Sequence, residues 1–229
     1  MTTLQLLVSQ RDHLTAADAD ANILTVLETP NSVRQTERRK ATRIEILDAA
    51  WEIARDQGLA NLTLRAVATR IGMRAPSLYS YFASKNDIYD AMFGQSWTDY
   101  LAIADKYEST LPRSPRAALK TMAHAFFDFA VADLARHQLM NQRTIPGFEP
   151  SSEAYAPAVA VLQRTQTLFT SRCSEDQGKF DIYIALIGGL VDAQQANDPG
   201  GDRWARLVDD AVDMFADHLG LPKTVRRKS

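Results

Sequence analysis

Residues 62–85 read LTLRAVATRIGMRAPSLYSYFASK, and they constrain the fold more than any other stretch of the chain. They encode two helices too short to persist alone in water, joined at a glycine, so both must be held by neighbours. Thr63 stands where the N-cap of the first helix belongs, with Leu62 and Val67 placed as a hydrophobic staple. Leu64, Val67, Ala68 and Ile71 follow an i, i+3, i+4, i+7 pattern that leaves Arg65, Thr69 and Arg70 outside. Gly72 suits the left-handed residue that ends a helix. Pro76 suits the first position of the next helix, with Ala75 before it turned away from helical angles. Leu78 and Phe82, four apart, pack inward, which leaves Arg74, Ser77, Tyr79, Ser80 and Tyr81 for other faces.

A short helix showing small polar and aromatic groups beside arginines suits insertion into a DNA major groove. A plain helical corner with its tyrosines as half-buried packing is the alternative. Charge favours the first reading. Residues 34–85 carry 10 basic against 5 acidic side chains, whereas 86–221 carry 11 against 19, in a chain whose net charge is only −2.

Beyond position 39 almost every segment has helical periodicity, and no alternating strand pattern bounded by hairpin turns is present, so the expected class is all-α. The first helix is expected over 39–57, with Ile44, Leu47, Trp51 and Ala54 on one face and Gly58 at its end. Others are expected over 85–107, 115–137, 152–172, 179–197 and 202–219, separated by LPRSP, IPGFEPSS and NDPGG. The acidic residues 1–38 read as a loosely held extension and 222–229 as a basic tail. A single cysteine, Cys173, and the lack of a leader pattern point to a reducing, cytoplasmic setting. The longest apolar run, Ile182–Val191, has ten residues and is too short to span a bilayer. No metal-ligand cluster, phosphate-cradling glycine loop or nucleophile motif is present, so no cofactor and no enzyme is expected.

The run ILDAAWEIARDQGLANLTLRAVATRIGMRAPSLYSYFASKNDIYDAM closely resembles the N-terminal domain of TetR-family transcriptional regulators. The match rests on the Ala-Ala and Gly58 of the first helix, Thr63, Val67-Ala68, Gly72, Ser77-Leu78-Tyr79, Tyr81-Phe82 and Ser84-Lys85. The resemblance implies a three-helix helix-turn-helix head over 39–84, a helical ligand-binding and dimerisation body over 85–221, and a homodimer released from a pseudo-palindromic operator by a small ligand. It implies DNA contacts from Thr63, Arg65, Arg74, Ala75, Pro76, Ser77, Tyr79, Ser80, Tyr81 and Lys85. Family members often carry a polar residue where Ala75 stands and an aromatic or histidine where Ser80 stands, so base reading here leans on Arg65, Arg74 and thymine methyl contacts.

In the body, Ser84 with Asp87 forms a capping box ahead of a helix striped by Tyr89, Phe93, Trp97, Tyr100, Ala104 and Tyr107. Core packing explains most of these rings; Trp97, Tyr100, Tyr155 and Gln166 are the candidate ligand contacts. Gln166, on an otherwise apolar face, needs a hydrogen-bond partner in any case. His124 and Asp128 are spaced to pair along one helix, and His137 is placed to complement a helix end. Ile182–Val191 is apolar all round, so it must be covered, and Ile184, Gly188, Gly189 and Val191 with Trp204, Val208 and Phe215 are the expected dimer seam. A helical ligand carrier or partner-binding protein with a degenerate head is the competing function.

Overall fold

A computed structural model describes residues 30–223, and nine α-helices account for most of them. The expected extension 1–38 lies outside the described residues up to position 29, and so does the basic tail from 224.

Helix α1 runs Pro30–Gln57, starting nine residues before the expected Arg39. Its added turns carry no apolar stripe, and residues 33–40 are all exposed. A helix already nucleated on a core-packed segment extends through polar helix formers at little cost, which hydrophobic periodicity does not report. A short 3₁₀ turn, Leu59–Asn61, leads into α2, Leu64–Arg70. Thr63 caps α2 by accepting from the Ala66 amide, and Gly72 takes φ 66° to turn the chain into α3, Ala75–Leu78. Arg74, not Ala75, carries the extended backbone before α3, so Ala75 is the first helical residue and Pro76 the second.

Helix α4, Lys85–Glu108, starts with the expected Ser84/Asp87 box and leaves the head for the body. The segment expected as one helix over 115–137 is two, α5 at Pro115–Val131 and α6 at Leu134–Asn141. Asp133 explains the break, since its side chain caps α6 by accepting from the Arg136 amide. Helices α7, Ser152–Arg172, and α8, Gln177–Asn197, follow. A 3₁₀ turn at Ala205–Leu207 precedes α9, Val208–His218, where one helix was expected.

Helix α4 packs along α7, closely enough that a Cβ at Gly94 would lie 3.3 Å from the Ala154 Cα. Helix α5 is central to the far half, lying against both α8 and α9. Two apolar clusters result. One joins the head (Ile46, Leu62, Val67, Leu78, Phe82) to the near half of the body (Phe93, Trp97, Leu139, Ala158), and the other fills the space around Phe127, Phe169, Tyr183 and Phe215. Arg116, 4% exposed, ties down the chain's last described turn by donating to the carbonyls of Asp213, Leu221 and Pro222. Hydrogen bonds from Lys120 and Arg116 hold the carboxyls of Asp213 and Asp217, respectively, below the usual carboxylate range.

The head is fastened to the body by polar bonds as well as by apolar packing. The buried Tyr89 hydroxyl donates to the Leu59 carbonyl, Trp51 Nε1 donates to Gln95 Oε1 at 2.9 Å, and Arg55 donates to Asp133 at 2.8 Å. Removing the hydroxyl in Tyr89→Phe leaves a buried carbonyl unpaired, which costs about 1–3 kcal/mol. Urea unfolding is expected to show that loss in the midpoint with an unchanged slope; an unchanged midpoint would contradict this fastening.

Candidate nucleic-acid interface and body cavities

Helices α2 and α3 bury Val67, Ala68 and Leu78, and this fixes which side chains face outward. Thr63, Arg65, Arg74, Pro76, Ser77, Tyr79 and Ser80 are all exposed, Ala75 is half-buried, and Tyr79 keeps 55% of its surface. They form one face at the outer side of the turn. Arg70 does not join them: it folds back to Glu52 at 3.0 Å and Asp56 at 3.3 Å on α1. The Ser80 hydroxyl spends its proton on the Ser77 carbonyl at 2.7 Å, and the Thr63 hydroxyl is engaged as a cap. Arg65 and Arg74 therefore supply most of the donors of this face, as the sequence led us to expect.

Tyr81 and Lys85 are half-buried, and their surroundings differ from those of the exposed set. Arg39 lies 5.0 Å over the Tyr81 ring and Lys85 lies 5.5 Å over the Tyr89 ring. Two arginines that sequence reasoning passed over hold the end of α3. Arg43 donates to the Tyr81 carbonyl at 2.7 Å while its guanidinium sits 4.1 Å over the Phe82 ring, and Arg39 donates to the Ser80 carbonyl at 2.6 Å. A four-residue helix has few internal bonds, so these carbonyl clamps restrain it where its own ladder cannot. The run RRKATR at 38–43 held the signal, because its charge lies at the end of α1 nearest this helix.

Two hollows mark the body. A cavity of about 50 Å³ is enclosed chiefly by Trp97, Tyr100, Tyr107, Phe126 and Tyr183. Trp97 and Tyr100 thus meet at one site as expected, and Trp97 Nε1 is buried there without a hydrogen-bond partner. Burial also pushes the Tyr100 hydroxyl well above its ordinary pKa. A larger groove, about 550 Å³, runs along α8 and is walled by Phe126, His137, Asn141, Leu162, Asp181 and Asp192. Phe126, Leu162 and Ile184 line both spaces.

Tyr155 and Gln166 line neither hollow. Tyr155 stacks on Phe93 at 5.9 Å, and burial pushes its hydroxyl up to about 12. Gln166 finds its partner in Gln177, so hydrogen bonding within the chain accounts for it. The two histidines are also placed differently from the sequence expectation. His124 bonds Asp209 on α9 at 2.9 Å instead of Asp128, and His137 sits within α6, 3% exposed, bonded to Asp192 at 2.9 Å. Both partners come from distant helices, which spacing along one helix does not reveal.

The expected seam residues divide as well. Val191, Val208 and Phe215 are buried in the chain's own core, because α8 and α9 turn their most apolar faces onto α5. Trp204, Ile184 and Gly188 are half-buried. Helix α8 is not covered all round: Gly189 is exposed, Ile182 keeps 53% of its surface, and Met214 on α9 keeps 66%. A Cβ at Gly188 or Gly189 would meet nothing within 4 Å. Among the described residues, no group of three or more His, Cys, Asp or Glu side chains is placed to hold a metal ion, and no helix is long and apolar enough to cross a membrane.

Comparison with known proteins agrees with this geometry. Residues 46–92, which contain α2, α3 and the start of α4, match the family described as bacterial regulatory proteins, tetR family. The HTH-type transcriptional regulator Rv1816 of Mycobacterium tuberculosis is 24% identical over 180 residues, covering 78% of this chain and 66% of that protein. The HTH-type transcriptional activator FasR of Mycolicibacterium smegmatis is 30% identical over 102 residues, 44% of this chain and 46% of its own length. The chain thus spans about two thirds or less of these relatives. In fold it is similar to the transcriptional regulator FadR of Bacillus subtilis, solved in complex with stearoyl-CoA, with a TM-score of 0.62, 16% identity, and coverage of 75% of this chain and 96% of that one.

Proposed function

Because the chain belongs to the TetR family of bacterial regulators, we propose that it is a cytoplasmic, homodimeric transcriptional repressor that binds operator DNA through α3 and is released by a small, mostly apolar ligand. The observation that carries the DNA reading is the exposed face of α2 and α3, where Arg65 and Arg74 stand free beside Tyr79 while Arg70 is tied back. Phosphate contacts from Tyr79, Tyr81, Lys85 and the capped start of α2 would set the register, and Arg74 would read a base edge. FasR is named an activator, so the sign of regulation is read from expression: deletion of the gene is expected to raise the output of the controlled promoter.

The body supplies the switch. Helix α4 begins at Ser84, immediately beyond the recognition segment, and its Trp97 and Tyr100 line the aromatic cavity. A ligand that enlarges this cavity displaces a helix that also carries Tyr89 and Gln95, two of the head's fastenings. FadR, with the same fold, was solved with stearoyl-CoA, which shows that this architecture admits an elongated apolar ligand.

For the interface, Arg74→Ala is expected to weaken binding to a selected operator by about 1–3 kcal/mol and to relax its sequence preference, with helix content unchanged. Binding to duplex DNA is expected to fall steeply as salt rises. Undiminished specific binding by Arg74→Ala, or affinity independent of salt, would remove the assignment.

For the seam, the open apolar strip of Ile182, Gly189 and Met214 is proposed to pair with its own copy, replacing the buried positions Val191, Val208 and Phe215. Gly189→Asp places an unpaired charge in that strip. Sedimentation at micromolar concentration is expected to give a dimer for the unaltered chain and a folded monomer for the variant; a monomeric parent protein would contradict it.

A further inference from the structure

The groove along α8 has a consistent chemistry on its polar side. Its hydrogen-bond donors are already spent. Asn141 Nδ2 lies 3.2 Å from His137 Nδ1, which makes that nitrogen the acceptor and leaves Nε2–H to donate to Asp192 Oδ1 at 2.9 Å. The Gln142 amide donates to the same Asp192 oxygen at 3.0 Å. Farther along, Gln177 Nε2 donates to Asp181 Oδ1 at 2.8 Å.

The acceptors are not spent. Asn141 is 6% exposed, and its Oδ1 is buried without a hydrogen-bond partner. Each carboxylate keeps a second oxygen outside these bonds, and the Asp192 side chain is 47% exposed. No lysine or arginine is among the residues that line the groove. A buried amide oxygen with no donor costs about as much as a lost hydrogen bond, so this site is short of donors. An anionic head group placed here would meet two carboxylates and no free N–H.

The rest of the groove is apolar. Phe126, Leu162 and Ile184 form its floor and are also walls of the aromatic cavity beside Trp97 and Tyr100. The volume of about 550 Å³ is of the size that takes a small organic molecule.

We propose that this groove binds a primary ammonium carried on an apolar stem, its head held by Asn141 Oδ1 and the carboxylates of Asp192 and Asp181, its stem laid over Phe126, Leu162 and Ile184. This rests on the reading of the body as a ligand-responsive unit and names the chemical class it responds to. Three ammonium protons match three acceptors, and charge-assisted bonds of this kind are the stronger ones. The stem reaches the wall shared with the cavity on α4, so occupation of the groove is coupled to the helix that enters the head.

The test is calorimetric titration of the full-length protein at pH 7 with decylammonium chloride, sodium decanoate and 1-decanol, all below their aggregation concentrations. Decylammonium is expected to bind at least about tenfold more tightly than decanoate. Asn141→Leu and Asp192→Asn are each expected to lower its affinity by about fivefold or more while decanol binding stays within about twofold. Asp181→Asn, on a different helix turn, serves if thermal melting shows that either variant is misfolded.

Decanoate binding as tightly as decylammonium would overturn the inference, and so would an ammonium preference that survives in all folded variants. If decanol and decanoate bind and decylammonium does not, the inference falls while a ligand-binding body stands. If none of the three binds, the inference falls as well, and the operator measurements with Arg74→Ala remain the independent test of the regulatory reading.

Discussion

The structure depends on the head having no core of its own that stops at its boundary. Trp51 is buried on α1 yet gives its indole N–H to Gln95 on α4, and the Tyr89 ring on α4 reaches back to the Leu59 carbonyl between α1 and α2. Leu62, Val67, Leu78 and Phe82 continue into the same apolar cluster as Phe93 and Trp97. A helix as short as α3 cannot hold its orientation by its own backbone bonds. It is oriented by that cluster from below and by the Arg39 and Arg43 clamps on its last carbonyls. Anything that shifts α4 therefore shifts the surface that carries Arg74 and Tyr79.

How much of this was legible in the sequence depends on whether the cause is local. The Thr63 cap, the Gly72 turn and the Ser84/Asp87 box are set by residues within a few positions of one another, and the structure has each of them. The aromatic stripe from Tyr89 to Tyr107 was readable for the same reason, since helical spacing alone puts those rings on one side, and all of them are buried. The early start of α1 left no trace, because its first turns are polar all round and periodicity reports only burial. The break before α6 was signalled by Asp133, whose capping role is clear once Leu134 is seen to open a new helix, but the strong pattern on both sides masked it.

Pairings between distant helices were not legible at all. His124 with Asp209, His137 with Asp192, and Gln166 with Gln177 join residues 85, 55 and 11 positions apart. Likewise, the apolar character of α8 showed that it needs cover, but which side faces α5 and which is left open is a property of the packing. Tyr183, Ile187 and Val191 went inward, leaving Ile182 and Gly189 for a partner. Composition alone gives the body an acidic balance; only the structure gathers Asp181, Asp192 and the orphaned Asn141 oxygen along a single groove.

The central claim is that the body's interior and the DNA-reading face are mechanically joined, and it can be tested without knowing any ligand. Ala123 lines the aromatic cavity and is 1% exposed, so Ala123→Leu fills that space from α5 and presses on Trp97 and Tyr100 of α4. The measurement is the operator affinity of this variant, with its fold and dimer content checked, against the unaltered protein at one salt concentration. The account predicts a change of about fivefold or more, equal to about 1 kcal/mol, although the substitution touches no residue of the head. An unchanged operator affinity in a folded, dimeric Ala123→Leu protein would show that head and body act independently, and would contradict the account.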